Sequence, residues 1–387
     1  MLDYLDLDDD LSEADREWRD RARAFADDYV RPVVAEHYRA GTFPTELIPE
    51  MGSRGFFGTH LDAAATPGAS ARAYGLVMEE LGAADSGFRS VASVQGALVI
   101  YPIHAFGSDR QRERYLPGLA AGELVGCFAL TEPAHGSNPA GMETTARRAG
   151  EEWVLEGHKR WTTNGPIADV AVVWARVDGG DGPVRGFLID TDRPGVEFRE
   201  IEGKLSLRAS VSGELLLEGA RVPADAVLPG VEGLKGPLSC LTRARYGIVW
   251  GTAGVARDCF EAAREYATER EQFGRPIAGF QLQQEKLAEM ATKVTHARLL
   301  ASRLADLKGR GDLRPQRVSM GKRANARAAR EVSRTAREML GGDGILDEHS
   351  PMRPLANVET VYTYEGSHDI HSLILGEDLT GLSAFEG

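Results

Sequence analysis

After Ser239 the chain settles into a periodicity that leaves little choice of fold. Val249, Ala253, Ala256, Phe260, Ala263 and Ala267 recur at spacings of four and three, and Leu287, Met290, Val294, Ala297, Ala301 and Leu304 do the same. Each set draws one apolar stripe down a face of an α-helix. A third helix is predicted from about Pro315 to Leu340, with many small residues along its stripe, and a fourth after Glu365. Four amphipathic segments with short connections bury their stripes against one another, so 236–387 reads as a four-helix bundle. Alanine on more than one face implies that bundles also pack between subunits.

The rest of the chain divides by texture. Ser12 and Asp15 form a capping pair ahead of Trp18, Ala22, Phe25 and Tyr29, one apolar stripe on a first helix. Short helical pieces follow, clearest at Gly75–Leu81 and Arg110–Leu119, and 1–122 reads as a helical domain. Past Gly126, β-prone runs at Trp153–Leu155, Val170–Val177, Arg185–Ile189 and Gly213–Leu217 are broken by Gly and Asp-Gly turns. The expectation for 123–235 is a small antiparallel, barrel-like β domain with a surface hairpin over Val177–Pro183. The fold class is therefore mainly α with a middle β domain.

With 45 basic against 58 acidic residues, the net charge of −13 argues against broad nucleic-acid binding, which needs a basic face. No apolar run is long enough for stable membrane insertion. The aspartate-rich start resembles neither a signal nor a transit peptide. Cys127, Cys240 and Cys259, odd in number and far apart, read as reduced thiols of a cytoplasmic protein.

One carboxylate stands out. Glu365 lies between Tyr364 and Gly366 at a loop-to-helix junction, where burial against an aromatic ring would disfavour its charge and make it a general base. Read alone, it fits a solvated turn glutamate better. Glu365, His368 and His371 lack the His-Glu-x-x-His metal pattern, so no metal site is expected. Ser367-His368-Asp369 spells a triad, but adjacent residues cannot converge as one. Gly341-Gly342-Asp343-Gly344 follows a helix and lacks the dinucleotide-binding spacing; it fits a helix C-cap.

The run Tyr364 to His371, then Leu375-Gly376, resembles the active-site segment of the acyl-CoA dehydrogenase family, and most of all its glutaryl-CoA dehydrogenases. The likeness extends from about Leu11 to Phe385. It implies an N-terminal helical domain, a β domain, a four-helix bundle and a homotetramer. It implies FAD as cofactor, an acyl-CoA substrate and an electron-transfer flavoprotein as partner. In the segment Cys127 to Ser137 it puts Phe128, Leu130, Thr131 and Ser137 along the flavin, Ser137 also meeting the acyl-CoA. In Lys159 to Gly165 it puts Trp161 beside the ring and Thr163 near its reactive edge. Arg270, Phe273 and Gln281 match the pyrophosphate contact, for which arginine's planar fork is suited. Glu338, Gly341 and Gly342 match residues that reach the adenine end from a neighbouring subunit, and Ser367 and Asp369 complete the cofactor set.

By the same resemblance Glu365 is the catalytic base, with Arg245, Tyr364, Gly366 and Ser90 around the substrate. Arg89, helped by Ser93, matches the arginine that holds the far carboxylate of glutaryl-CoA. The implied reaction is α,β-dehydrogenation followed by decarboxylation to crotonyl-CoA. The chain departs from that pattern at Gly82, where an acidic residue near the substrate carboxylate is usual, in the loop 62–68, and at Asp343, where Asn is usual. The departure at Gly82 keeps open a non-decarboxylating dehydrogenase of another short, dicarboxylic or carrier-bound acyl group. A catalytically silent binding protein of the same fold is the remoter alternative.

Overall fold

In this computed structural model, which describes residues 3–385, the chain runs from helices through a sheet to longer helices. Seven helices come first: α1 (Glu13–Phe25), α2 (Arg31–Ala40), α3 (Leu47–Ser53), α4 (Ala71–Ala84), α5 (Ser86–Ser93), α6 (Tyr101–Phe106) and α7 (Asp109–Ala121). Ser12 caps α1 as predicted, its Oγ accepting from the Asp15 amide at 3.1 Å. The predicted segments at 75–81 and 110–119 fall inside α4 and α7. A wide π-helical turn, Val94–Ile100, joins α5 to α6. Helix α4 is buried on every side from Ala73 to Ala84, so it is a core helix and not a surface one.

The sheet comprises β1 (Gly126–Ala129), β2 (Thr145–Ala149), β3 (Glu152–Thr163), β4 (Val170–Val177), β5 (Val184–Asp190), β6 (Val196–Glu200) and β7 (Ser212–Pro223). The antiparallel expectation holds for β2–β3, β3–β7, β6–β7 and β4–β5, the last across the predicted turn at 177–183. It fails at β4, which pairs in parallel with β1 and, at its end, with β2. Six of the eight residues from Val170 to Val177 form an unbroken buried run, the signature of a strand covered on both faces. Cys127, Leu155, Val173, Phe187 and Leu215 fill the sheet's inner face.

The last part holds α8 (Lys235–Glu269), the short hairpin β8 (Glu271–Gln272) and β9 (Arg275–Pro276), α9 (Gln281–Gly309), α10 (Pro315–Met339), α11 (Met352–Thr363) and α12 (His368–Thr380). All six predicted stripe residues of α8 are buried, as are Met290, Val294, Ala297, Ala301 and Leu304 of α9. Helix α11 is an addition to the four predicted segments. Helix α8 also packs on α4 so tightly that Gly82 lies against the backbone of Gly251; a Cβ at 82 would come within 2.5 Å of the Gly251 carbonyl oxygen. No described helix is long and apolar enough to cross a membrane.

Candidate active site

Helix α11 ends at Thr363, and the chain turns through two consecutive left-handed residues, Glu365 (φ 51°) and Gly366 (φ 92°). Ser367 then caps α12, accepting from the Ile370 amide at 3.2 Å. Gly366 is required for space as well as for φ: a Cβ there would meet His371 Nε2 at 2.9 Å and Arg245 Nη2 at 3.2 Å. A glutamate in this backbone region persists only where its surroundings hold it. Arg245 of α8 does so, donating from Nε to the Glu365 carbonyl at 2.7 Å. Lys322 of α10 donates to the carbonyls of Tyr364 at 3.0 Å and Gly366 at 2.8 Å.

The Glu365 residue is half-buried, but its Oε2 is closed off from solvent and has no hydrogen-bond partner among the described residues. Burial pushes its carboxyl above the ordinary range, while Arg89, Arg245 and Lys322 act in the opposite direction. Its backbone amide donates to no acceptor among the described residues.

Helix α5 brings Arg89 to the same place. Arg89 is 2% exposed; its Nη2 donates to the Tyr364 hydroxyl, its guanidinium lies 5.7 Å from that ring's centre, and its Nη1 has no partner. Ser90, also buried, stands beside the Tyr364 hydroxyl, and Ser93 is fully buried with an unpartnered Oγ. Tyr74 of α4 closes this end with a buried hydroxyl that faces Ser93 without a well-formed hydrogen bond; burial pushes it up to about 12. Glycines on α8 make the room: a Cβ at Gly247 would meet the Tyr74 hydroxyl at 2.8 Å, and one at Gly251 would meet Arg89 Cδ at 2.6 Å. A carboxylate, a buried guanidinium with a free donor and two hydroxyls that face each other thus lie close together. Together they can remove a proton at one end and hold an anion at the other.

The sheet supplies a second surface. The Arg160 amide donates to the Thr131 carbonyl at 2.8 Å, which ties the loop after β1 to β3. Between Lys159 and Thr162 β3 carries one residue more than its partner β7, and this bulge turns Trp161 outward at φ 62° and 56% exposure. Phe128 and Leu130 are buried beside it, while the half-buried Thr131 and Thr163 have hydroxyls with no partner among the described residues. Ser137 is exposed on the same loop.

The remaining candidates lie elsewhere. Arg270 and Gln281 flank the β8–β9 hairpin at the far end of α8 and Phe273 forms its turn; all are exposed, Phe273 at 95%. Arg270 is 25 residues from Arg245 along one helix, about 37 Å at 1.5 Å per residue. Glu338, Gly341 and Gly342 are exposed at that same end, where Tyr266 of α8 donates to Asp343 at 2.7 Å. Asp369 is exposed in the first turn of α12. His368 stacks on Tyr362 with ring centres 4.3 Å apart, and Ser367 serves as a cap, so neither belongs to a triad. No group of three His, Cys, Asp or Glu side chains among the described residues is arranged to hold a metal ion.

Comparison with known proteins matches the chain to a family. The models for the N-terminal, middle and C-terminal domains of acyl-CoA dehydrogenase match residues 12–123, 127–220 and 232–380. The chain belongs to the acyl-CoA dehydrogenase family. A crystal structure of glutaryl-CoA dehydrogenase from Mycobacterium smegmatis is 51% identical, with a TM-score of 0.96 over 98% of each chain. Another from that organism, in complex with FADH2, is 48% identical with the same TM-score and coverage. The mouse mitochondrial short-chain specific acyl-CoA dehydrogenase is 33% identical over 96% of this chain and 91% of its own length. The protein is thus a flavin-dependent oxidoreductase acting on acyl-CoA, and FAD is its cofactor. The surface on β1 and β3 fits a flavin: an exposed indole held rigidly by a bulge, with two free hydroxyls at its edge.

Three features of this acyl-CoA dehydrogenase carry no role in the sequence reading. Lys159 and Glu132 form a buried ion pair at 2.8 Å beneath the Thr131 loop, with Lys159 also donating to the Leu130 carbonyl at 3.1 Å. Both residues sit inside the two flavin motifs, but nothing local tells that they meet. Burial pushes Lys159 down to about 8, with Glu132 opposing. Burial raises Glu132, yet Lys159 and the amides of Glu143 and Thr144 hold it at about 2. The other two are Lys322 and His371, both sealed in the core against the Glu365 turn.

Proposed function

We propose that the enzyme oxidises glutaryl-CoA between Cα and Cβ and that the enoyl product then loses CO2 to give crotonyl-CoA. The observation that carries this reading is Arg89, buried with one Nη that has no partner among the described residues, close to the Tyr74 and Ser93 hydroxyls, which face each other without a well-formed hydrogen bond. A substrate carboxylate would satisfy all three, whereas a purely aliphatic chain would leave the guanidinium charge unpaired in the core. The 51% identity to a glutaryl-CoA dehydrogenase supports the same choice.

Glu365 is the base for the Cα proton. Its carboxyl is desolvated enough to be basic, and Arg89, Arg245 and Lys322 keep ionisation within reach. The unpaired Glu365 amide is available to the thioester carbonyl, where it would stabilise the negative charge developing as the proton leaves. Bound FAD supplies the acceptor for the hydride from Cβ. Phe128, Leu130, Thr131, Trp161 and Thr163 would hold the flavin ring, and Ser137 and Ser367 would lie near it.

Arg270, Phe273, Gln281, Glu338, Gly341, Gly342 and Asp369 would meet FAD across a subunit interface, a reading supported by the exposure of all seven and by the distance of Arg270 from Arg245 along α8. A homotetramer, which the family resemblance implies, would provide such an interface. Electrons then leave to an electron-transfer flavoprotein, and three buried free cysteines suit a cytoplasmic enzyme.

A second reading, dehydrogenation without decarboxylation, is favoured by the packing of Gly82 on Gly251, which leaves no space for an acidic side chain. Mass spectrometry of the CoA products from glutaryl-CoA, with an artificial electron acceptor, separates the two. Crotonyl-CoA is expected. Glutaconyl-CoA alone would favour the second reading, and unchanged glutaryl-CoA from FAD-loaded protein would sink both for this substrate.

A further inference from the structure

Helix α10 buries a stripe at spacings of four and three: Val318, Lys322, Asn325, Ala329, Val332 and Ala336. One position of that stripe is a lysine, 1% exposed. Burying an ammonium in a core is costly unless its donors are satisfied. Here the acceptors come from one place, the carbonyls of Tyr362 (3.5 Å), Tyr364 (3.0 Å) and Gly366 (2.8 Å). They are oxygens that the end of α11 and the following turn would otherwise leave without a helical partner. An ammonium has three N–H donors and a neutral amine two, so a seat of three carbonyls selects the charged form.

We propose that Lys322 is a positioning residue for Glu365, fixing the turn 362–366 through its backbone carbonyls and placing a positive charge against the carboxylate. Its bonds straddle residue 365, so it sets the direction in which the Glu365 side chain leaves the backbone. This inference rests on Glu365 as the base but not on the choice of acyl chain.

The surroundings are crowded with charge. Glu365 faces Arg89 from α5, Arg245 from α8, and the phenols of Tyr74 from α4 and Tyr364 from its own turn. Lys322 faces Glu365, Arg245 and Arg89, and is felt by His371 and His368 of α12. Arg89 and Arg245 act on the carboxylate more strongly than Lys322. Burial pushes Lys322 down to about 7, with Glu365 opposing and the two arginines adding to the fall. The loss of either partner's charge would therefore move the other.

The test uses FAD-loaded protein, an artificial electron acceptor, and both glutaryl-CoA and butyryl-CoA, so that it does not depend on the substrate. The pH dependence of kcat/KM is measured for wild type, Lys322→Met, Lys322→Gln and Glu365→Gln. Glu365→Gln is expected to abolish turnover of both substrates; full activity there would overturn the base itself, not the lysine. In Lys322→Met the acid limb should move up by about one pH unit, because a carboxylate that loses a nearby cation is harder to ionise. Its kcat should fall by more than about tenfold as the base loses its alignment. Lys322→Gln keeps two N–H donors and removes the charge, so its limb should move as far while its kcat falls less. A role confined to stability would lower Tm in both variants and leave the limb where it is. An unmoved limb in either folded, flavin-loaded variant overturns the proposal, and if Lys322→Met does not fold, Lys322→Gln alone decides.

Discussion

The Nε of Arg245 donates to the backbone carbonyl of Glu365 at 2.7 Å across 120 residues of sequence, so helix α8 fixes the residue whose carboxylate it also attracts. Two jobs meet in one contact. The bond holds a non-glycine residue at φ 51°, and the charge offsets part of the cost of a buried carboxylate whose Oε2 has no partner.

That cost predicts a trade between activity and stability. Glu365→Gln should reduce turnover by at least about 10³-fold, within the range for loss of a general base. The folded carboxyl titrates above its ordinary 4.5, so the folded state binds the proton more readily than the unfolded chain. Stability is lost as pH rises through that interval. The neutral amide escapes this loss, and the inactive variant should melt about a degree or two higher at pH 8. Thermal unfolding of both proteins at pH 5 and pH 8 checks it; an equal or lower Tm for the variant at pH 8 would refute the account.

Arg89→Leu tests substrate choice. The guanidinium is satisfied on one side by Tyr364 and open on the other, and leucine removes the open donor without leaving a charge behind. A hydrogen bond to a charged group contributes about 1.5–3 kcal/mol, so kcat/KM for glutaryl-CoA should fall by roughly 10–10²-fold. Measured above the acid limb, where the loss of the Arg89 charge no longer limits ionisation of Glu365, butyryl-CoA, with no carboxylate to lose, should fall by much less. Equal losses on the two substrates would assign Arg89 to the Tyr364 turn alone.

Legibility in the sequence followed the range of the interactions. The stripes of α8 and α9 were readable because each is a local period, and the cap on α1 because Ser12 and Asp15 are three apart. Helix α11 was hidden: its buried face is Pro354, Asn357, Val358 and Val361, and a proline and an asparagine in the apolar positions mask the period. Both asparagine groups are used, Nδ2 donating to Asp85 and Oδ1 accepting from Leu207. The parallel pairing of β4 was hidden because register between distant strands leaves no local mark, although its continuous buried run was a clue. Glu365, Arg89 and Arg245 come from three separate stretches, and only resemblance to a family joined them before the fold did. Lys322 did carry a signal, a charge standing where the period of α10 demands an apolar residue.

Lys159→Met should act on the flavin surface through a residue that does not line it. The substitution strands Glu132 in the core with its two amide donors but without its cation. Breaking a buried pair from one side costs about 3–5 kcal/mol. The loop that carries Thr131 loses the bond to the Leu130 carbonyl as well. The expected result is protein purified with less than its full complement of FAD and with a depressed Tm that added FAD partly restores. A variant that keeps both FAD and Tm would show that the pair is dispensable.

His371 predicts how the protein responds to acid. It is fully buried under Gly366, neither ring nitrogen makes a well-formed hydrogen bond among the described residues, and burial, with Lys322 and Arg245, pushes it down to about 3 against a weaker pull from the Glu365 backbone. The unfolded chain takes up a proton at this imidazole near its ordinary 6.5, and the folded protein does not until about 3. Between those values the unfolded state binds more protons, so stability falls as pH is lowered across the window. One such group changes stability by at most about 1.4 kcal/mol per pH unit. His371→Leu removes the titration, and the variant should lose less Tm than wild type between pH 7 and pH 5, whatever its starting point at pH 7. Parallel falls in the two proteins would mean that His371 already finds its proton in the folded state, and that its ring is not sealed against the Glu365 turn.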